Sequence, residues 1–353
     1  SDGGNFMSMK AKILELLREK KDRVAAGAPE SEAYVSGQEL CEQFGVSRTA
    51  VWKAIGQLKK EGYVIEAVQN RGYRLLDQTE EVYNQADIQS RLKTKWVAHP
   101  LQFFDSIDST NIRAKLEAEQ GAESGLLVVS DMQSAGRGRR GRGWESPAGT
   151  NIYYTLMLKP DFSSDCAPML TLVMALAVAK GIRQTLRRDS EEAAAKVGIK
   201  WPNDIVVDGK KVCGILTEMS MEQGYIQHIV IGVGINVRKQ EFPEEIRDRA
   251  AAIDEQCGFR ISRSQLIADI MEAFEEDYEI FLRTHDLKGL RASYAELLVN
   301  QDREVCVLDP KGEYRGIARG INDQGELLVE RQDGTVEEVY AGEVSVRGIY
   351  GYV

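Results

Sequence analysis

The sequence predicts an α+β protein of several domains, and three observations carry that prediction. Its 353 residues exceed what one typical core encloses. The hydrophobic spacing changes twice, from helical, through alternating strands and helices, to short strands parted by Gly-Asp-Asn turns. Charge is divided as well: residues 1–77 hold twelve Lys/Arg against eleven Asp/Glu, a net of +1, so in a chain of net charge -10 the remainder carries -11. The expected domains are 1–78, 79–299 and 300–353.

In the first segment Met9 to Arg18 repeats Ile13, Leu14 and Leu17 on one helical face. Gly37 to Gln43 predicts a second, short helix, Gly45-Val46-Ser47 a turn, and Arg48 to Lys60 a third helix with Val51, Ile55 and Leu58 inward and Ser47 as N-cap. Tyr63 to Glu66 and Gly72 to Leu76 read as strands around Gln69-Asn70-Arg71. Helix, helix-turn-helix and hairpin, in that order, make a winged helix-turn-helix. Such a domain sets its third helix in the DNA major groove, which assigns Arg48, Thr49 and Lys53 to the groove and Lys59, Lys60 and Arg71 to the phosphate backbone, with Ser47, Arg48, Thr49, Lys53 and Arg71 the expected DNA-binding set. The other reading is a small helical domain used for protein contacts. A segment net charge of +1 predicts weak non-specific DNA affinity, so useful binding would call for a dimer.

Beyond Asp87, apolar β-rich runs at Leu101–Phe104, Gly125–Ser130, Asn151–Leu158, Ile205–Val207, Val212–Met219 and His228–Ile235 alternate with helices at Asn111–Gln120, Pro168–Arg188 and Ser264–Arg283. This pattern predicts an α/β or α+β domain, expected to be built on a mixed sheet. From Val305 to Val307, Tyr314 to Ala318, Glu326 to Glu330 and Val336 to Tyr340, short strands have the look of a small β-barrel.

Composition narrows the classes of function. With 43% hydrophobic and 28% charged residues the chain reads as globular, and its longest apolar run, Met169 to Ala179, falls short of the ~18 residues of a membrane span. No membrane partner is expected. The polar first residues are unlike a signal peptide, and Ser1 to Phe6 read as added ahead of a start at Met7 or Met9. Five scattered cysteines without Cys-x-x-Cys spacing argue against a disulfide framework or zinc knuckle and for the cytoplasm. His99, His228 and His285 form no metal-ligand pattern.

Gly136-Arg137-Gly138-Arg139-Arg140-Gly141-Arg142-Gly143-Trp144 places four arginines on a glycine-rich backbone. Glycines admit close approach of backbone N–H groups to an anion, and guanidinium forks pair with phosphate or carboxylate. It is either an anion clamp or a solvated basic loop. The glycines predict a loop disordered when empty and closed when filled.

The ordered set Asp108-Ser109-Thr110-Asn111, Gln133-x-Ala135-Gly136-Arg137-Gly138-Arg139, Lys200-Trp201-Pro202-Asn203-Asp204, Lys211-x-x-Gly214-Ile215-Leu216 and Gly232-x-Gly234-Ile235-Asn236 resembles the biotin-protein ligases. With a winged helix ahead of it, the chain is similar to the bifunctional members that are also biotin operon repressors. The resemblance implies a class II synthetase-like catalytic core, an SH3-like barrel, substrates biotin and ATP with Mg2+, and a biotinyl-5'-adenylate intermediate. It implies as partners the biotin carboxyl carrier protein of acetyl-CoA carboxylase and biotin operator DNA, and a homodimer promoted by ligand.

That chemistry gathers negative groups, so cations must offset their repulsion, and Arg137, Arg139, Arg140 and Lys211 are suited to it. Lys211, Arg137, Arg139 and Asp204 are the expected catalytic residues. Lys211 would contact the biotin carboxylate and the phosphate, with Lys210 the solvent-exposed neighbour. Biotin would be held by Ser109, Thr110, Asn111, Gln133, Gly136, Arg137, Gly138, Arg139, Trp144, Lys211, Gly232 and Gly234. Ser109, Thr110 and Gln133 offer uncharged donors and acceptors to the ureido ring, and Trp144 an apolar wall. Ser109 and Thr110 could instead be helix caps, Gly232 and Gly234 could mark a bulge rather than room for the valeryl chain, and Arg140 and Arg142 could be solvated. The adenylate set is Arg137, Arg139, Arg140, Asn203, Lys211 and Asn236. Asn203 and Asp204 are oxygen ligands suited to Mg2+ bound through water or phosphate, or lie near the acceptor lysine. Trp201 and Pro202 are expected to fix their loop. Between Val237 and Asp254 an adenine-covering loop is expected, with Phe242 the one aromatic candidate.

A lipoate-protein ligase would share the core, but its Arg-Arg-x-Ser-Gly-Gly-Gly signature is absent. A sensor with a decayed catalytic site is opposed by the intact motifs. A ligase whose winged helix no longer represses stays open.

Overall fold

Ser8 starts the first helix by accepting the Ala11 N–H at 3.2 Å. The computed structural model describes residues 7–309, 311–340 and 345–348, except the side chains of Arg140 and Ser345. The expected adenylate contact of Arg140 and residues 1–6 therefore lie outside the described residues.

Helix α1 (Met9–Ala25) buries Ile13, Leu14 and Leu17 and runs past the expected end at Arg18. Its second half, Glu19 to Val24, is made largely of charged residues that favour helix without adding apolar periodicity. Helices α2 (Gly37–Phe44) and α3 (Arg48–Lys60) meet at Gly45, whose φ of 65° ends α2 in the left-handed region. Strands β1 (Ile65–Val68) and β2 (Gly72–Leu75) pair antiparallel around Asn70, at φ 65°. Val35 adds a bridge to Tyr73, with N–H···O distances of 2.9 and 2.8 Å. Leu14, Leu17, Leu40, Val51, Ile55 and Leu58 form one core. Each such side chain contributes about 1.5–3 kcal/mol on burial.

A short helix that the sequence reading missed, α4 (Gln85–Gln89), packs on α1. Its buried Asp87 accepts from Tyr63 at 2.9 Å and Arg91 at 3.2 Å and also pairs with Arg18. This cluster carries the first compact unit to Leu92, beyond the boundary at 78, and the second unit begins at Lys93.

The second unit is built on a seven-stranded sheet ordered β3-β4-β5-β9-β8-β7-β6. In chain order its elements are β3 (Leu101–Phe104), α5 (Thr110–Glu119), β4 (Leu127–Ser130), β5 (Ile152–Leu158), α6 (Met169–Arg187), α7 (Glu191–Ala195), β6 (Val197–Lys200), β7 (Asp204–Val207), β8 (Lys210–Glu222), β9 (Tyr225–Ile235), α8 (Ile253–Cys257), α9 (Arg263–Thr284) and α10 (Arg291–Leu297). Only β3 and β4 run parallel, so the sheet is mixed as expected. Side chains alternate across it: the Tyr154 hydroxyl meets Met174 of α6, while that of Thr155 meets Asn111 of α5. Helix α6 is long and apolar enough to cross a membrane, but it is mostly buried and packs along α9, as a core helix does.

The C-terminal strands β10 (Glu304–Leu308), β11 (Tyr314–Ile321), β12 (Leu327–Glu330), β13 (Val336–Val339) and β14 (Ser345–Gly348) form an antiparallel sheet ordered β13-β12-β11-β10-β14. They belong to the same compact unit as the large sheet. The Trp201 indole N–H donates to Gly325 O at 2.9 Å, tying the turn before β7 to the loop before β12.

Candidate active site

The glycine-arginine segment is a hydrogen-bonded hairpin. Gly138 N donates to Arg142 O at 2.7 Å and Trp144 N to Gly136 O at 3.0 Å, with Arg137 bridged to Gly143 between them. Close approach requires the glycine at position 136. A Cβ on Gly136 would lie 2.4 Å from Trp144 O, so Gly136 has a packing role, and it is not among the residues that line the cavity below.

The hairpin borders a cavity of about 380 Å³. On one wall Thr110 donates to Gln133 Oε1 from its N–H at 2.9 Å and its hydroxyl at 3.1 Å. The remote amide of Gln133 thus caps α5, and Ser109, at the N-cap position, makes no side-chain cap bond. Ser109 is buried and lines the cavity. Thr110 and Asn111 also line it, yet Asn111 is engaged twice: its Oδ1 accepts from Thr155 at 2.5 Å and its Nδ2 donates to Glu218 at 2.8 Å.

The floor is Gly214 paired with Gly234 across β8 and β9, under the indole of Trp144. A Cβ on Gly234 would lie 2.5 Å from Trp144 Nε1, and one on Gly232 would lie 2.1 Å from Asn111 Oδ1. These glycines make room for Trp144 and Asn111 and both line the cavity, and the ladder through them is regular, without a bulge. The bulge lies elsewhere, where β8 pairs with β7, between Ile205 and Val206. It puts both Val212 and Cys213 in the core and leaves Lys211 and Gly214 on the cavity side together, although three residues apart in a strand.

Lys211 Nζ is 2.7 Å from Asp204 Oδ1 and 5.7 Å from the Trp144 ring centroid, while Lys210 is exposed. Arg139 donates to Asn203 Oδ1 at 2.8 Å, and Asn203 Nδ2 to Ile215 O at 3.1 Å. Arg137, Gly138 and Asn236 complete the expected lining, and Arg142, which the sequence left open as a solvated charge, lines the cavity too. Between Val237 and Asp254 the lining comes from Ile246, Arg249 and Ala250, not Phe242, because Lys211 N donates to Arg249 O at 2.7 Å and draws that segment alongside β8.

Two contributions had no role assigned from the sequence. Lys200 is buried at the rim, and burial, with Lys211, Arg347 and Arg249 adding to it against the pull of Asp204, lowers its ammonium to about 8. Its place in the Lys200–Asp204 motif was a signal that could have found it. Leu308, Val346 and Arg347 come from the C-terminal sheet, and no local pattern marks them. The described lining holds seven cationic side chains, Arg137, Arg139, Arg142, Lys200, Lys211, Arg249 and Arg347, against the single carboxylate of Asp204.

In the first unit, Arg48, Thr49 and Lys53 lie exposed on α3, and Arg71 at the hairpin tip sits over the Tyr34 ring, 5.7 Å from its centroid. Ser47 caps α3 as expected, its hydroxyl accepting from Ala50 N at 3.2 Å.

Residues 103–236 match the model of the biotin/lipoate A/B protein ligase family, 30–74 an HTH domain, and 302–347 the biotin protein ligase C-terminal domain. The chain is 37% identical over 331 residues to the bifunctional ligase/repressor BirA of Bacillus spizizenii, covering 93% of this chain and 98% of that protein. It is 32% identical to the BirA of Escherichia coli over 312 residues, 88% of this chain and 92% of the other. Among solved structures it is similar to a biotin protein ligase from Aquifex aeolicus in complex with biotin and ATP, at 28% identity and TM-score 0.59, over 70% of this chain and 98% of that one.

Proposed function

The chain belongs to the family of bifunctional biotin ligase/repressors, and from that premise we propose how its cavity serves adenylation and transfer. A biotin carboxylate oxygen attacks the α-phosphorus of ATP, the bond to the β-phosphate bridging oxygen breaks, and biotinyl-5'-AMP and pyrophosphate result. The ε-amine of a lysine on the biotin carboxyl carrier protein of acetyl-CoA carboxylase then attacks the acyl carbon. AMP leaves, the amine loses a proton, and an amide forms.

The observation that carries this reading is the charge of the cavity: seven cations face one carboxylate in a chain of net charge -10. Repulsion among a carboxylate and three phosphates is the main barrier to bringing them together, and preorganised cations lower it. Lys211, beside the glycine floor, neutralises the attacking carboxylate and the α-phosphate. Arg137 and Arg139 hold the phosphates, with Arg139 steadied by Asn203. The Trp144 face receives the apolar ring of biotin, and Ser109 and Gln133 its ureido edge. Asn236 and Arg249 border the adenylate end.

Among the described residues no cluster of three metal-ligating side chains occurs, and Asp204 is paired with Lys211. This donor set suits Mg2+ carried in by ATP phosphates, with Asp204 touching it through water. The bound ion would offset phosphate charge. Five free cysteines fit a reducing cytoplasm.

With biotin, ATP and Mg2+, the purified protein is expected to catalyse biotin-dependent pyrophosphate exchange and to label a carrier domain. Lys211→Ala should slow exchange about 100-fold or more, the scale of losing one preorganised charge partner, with a smaller change in biotin affinity. Unchanged turnover would remove Lys211 from the reaction. The biotinyl adenylate also promotes a homodimer whose paired winged helices repress at biotin operator DNA.

A further inference from the structure

Helix α3 exposes Trp52 to 69%, the one large apolar side chain on a face otherwise made of Arg48, Thr49, Lys53 and Lys60. Thr49, Trp52, Lys53, Gly56 and Lys60 recur at the spacing of one helical face, opposite the buried Val51, Ala54, Ile55 and Leu58. Gly56 is a second anomaly on that face. Glycine is among the poorest residues for a helix interior, and here a Cβ would meet nothing within 4 Å, so no neighbour in the chain requires its absence. An exposed indole with bare backbone one turn further on describes a surface shaped for something that comes close. No acidic residue stands on α3, and Arg48, Lys53, Lys59 and Lys60 share the helix with the indole, so the complementary partner is a polyanion.

We propose that Trp52 reads thymine through its C5-methyl group in the DNA major groove, and that Gly56 is bare so that α3 can lie against the duplex. The inference rests on the reading of the first unit as a DNA-binding domain. The thymine methyl is the one apolar group that base pairs present in that groove, and it is what an indole can recognise. Trp52 then supplies sequence preference, while Arg48, Lys53 and Lys60 supply the salt-dependent attraction to phosphates.

The test uses the full chain loaded with biotinyl-5'-AMP. Duplexes are selected from a random-sequence pool, and each thymine of the selected duplex is replaced in turn by deoxyuridine, which lacks only the methyl group. The wild-type protein should lose about four-fold in affinity at a thymine touched by Trp52, the value of one buried methyl. Trp52→Ala should bind the parent duplex about ten-fold more weakly and be indifferent to uracil at that position, and Trp52→Phe should recover part of both effects. Gly56→Ala should raise the thermal unfolding midpoint yet weaken specific binding, a combination that a merely structural glycine would not produce. The proposal is overturned if Trp52→Ala keeps the wild-type affinity and uracil pattern, or if Gly56→Ala binds unchanged. Loss of dimerisation by Trp52→Ala without DNA would make the indole a protein contact and overturn it too. Failure of the wild-type protein to enrich any duplex would instead remove the DNA-binding reading itself, and this inference with it.

Discussion

Lys200 shows how a single buried charge can make binding depend on pH. Burial lowers its ammonium from 10.5 to about 8, so the folded protein releases that proton earlier than the unfolded chain does. Below about 8 the cost of burying the charge is present in full, and it fades as pH rises from there toward 10.5. An anionic ligand pulls the other way, since it favours the ammonium. Binding of the adenylate just above pH 8 is therefore expected to take up a proton, and affinity to fall as pH rises through that value. Calorimetry in two buffers of different ionisation enthalpy measures the uptake, and Lys200→Met should abolish it; equal heats in both buffers for the wild-type protein would refute the coupling. Most lining residues were legible in the sequence because a guanidinium, an ammonium or an indole carries its chemistry wherever it stands. Their partners were not. Gln133 as the cap of α5, or Asn111 as the reason for Gly232, depends on approaches between residues far apart in the chain.

Strand β2 begins with Gly72 at φ 112°, where a Cβ would lie 2.1 Å from Val35 O. Gly72→Ala is expected to break the Val35–Tyr73 bridge and cost roughly 1–3 kcal/mol, the scale of overpacking added to a strained φ. DNA binding should fall while pyrophosphate exchange, which belongs to the second unit, holds. Thermal unfolding and exchange assays on one preparation check both halves, and an intact DNA affinity would show that the wing tolerates the change. Elements with long amphipathic patterns, such as α3 and α9, were readable because each must bury one face. Short ones were missed for want of periods to count: α4 and α7 span little more than a turn, β6 is interrupted by Gly198, and β14 is a strand through its pairing with β10.

Charge at the scale of the molecule separates two tasks, an almost neutral first segment and an acidic remainder that nonetheless encloses a cationic cavity. If adenylate binding promotes the dimer and the dimer binds DNA, linkage makes the effects mutual. Biotinyl-5'-AMP is expected to tighten self-association in sedimentation equilibrium, and a specific duplex to tighten adenylate binding, each by about 5- to 150-fold. Self-association that ignores the adenylate would leave a ligase without this switch. The amino-acid sequence by itself determined the order of the domains, the helices of the HTH domain and the cationic motifs that line the cavity, because these are carried by residue chemistry and by periodicity along the chain. Only the tertiary structure decided that a bulge in β8 turns Lys211 and Gly214 to the same side, that Trp144 lies on a floor of paired glycines, and that Arg347 reaches the cavity from the last strand. Each follows from strand register or from contact between distant segments, and neither is a property of any local stretch of sequence.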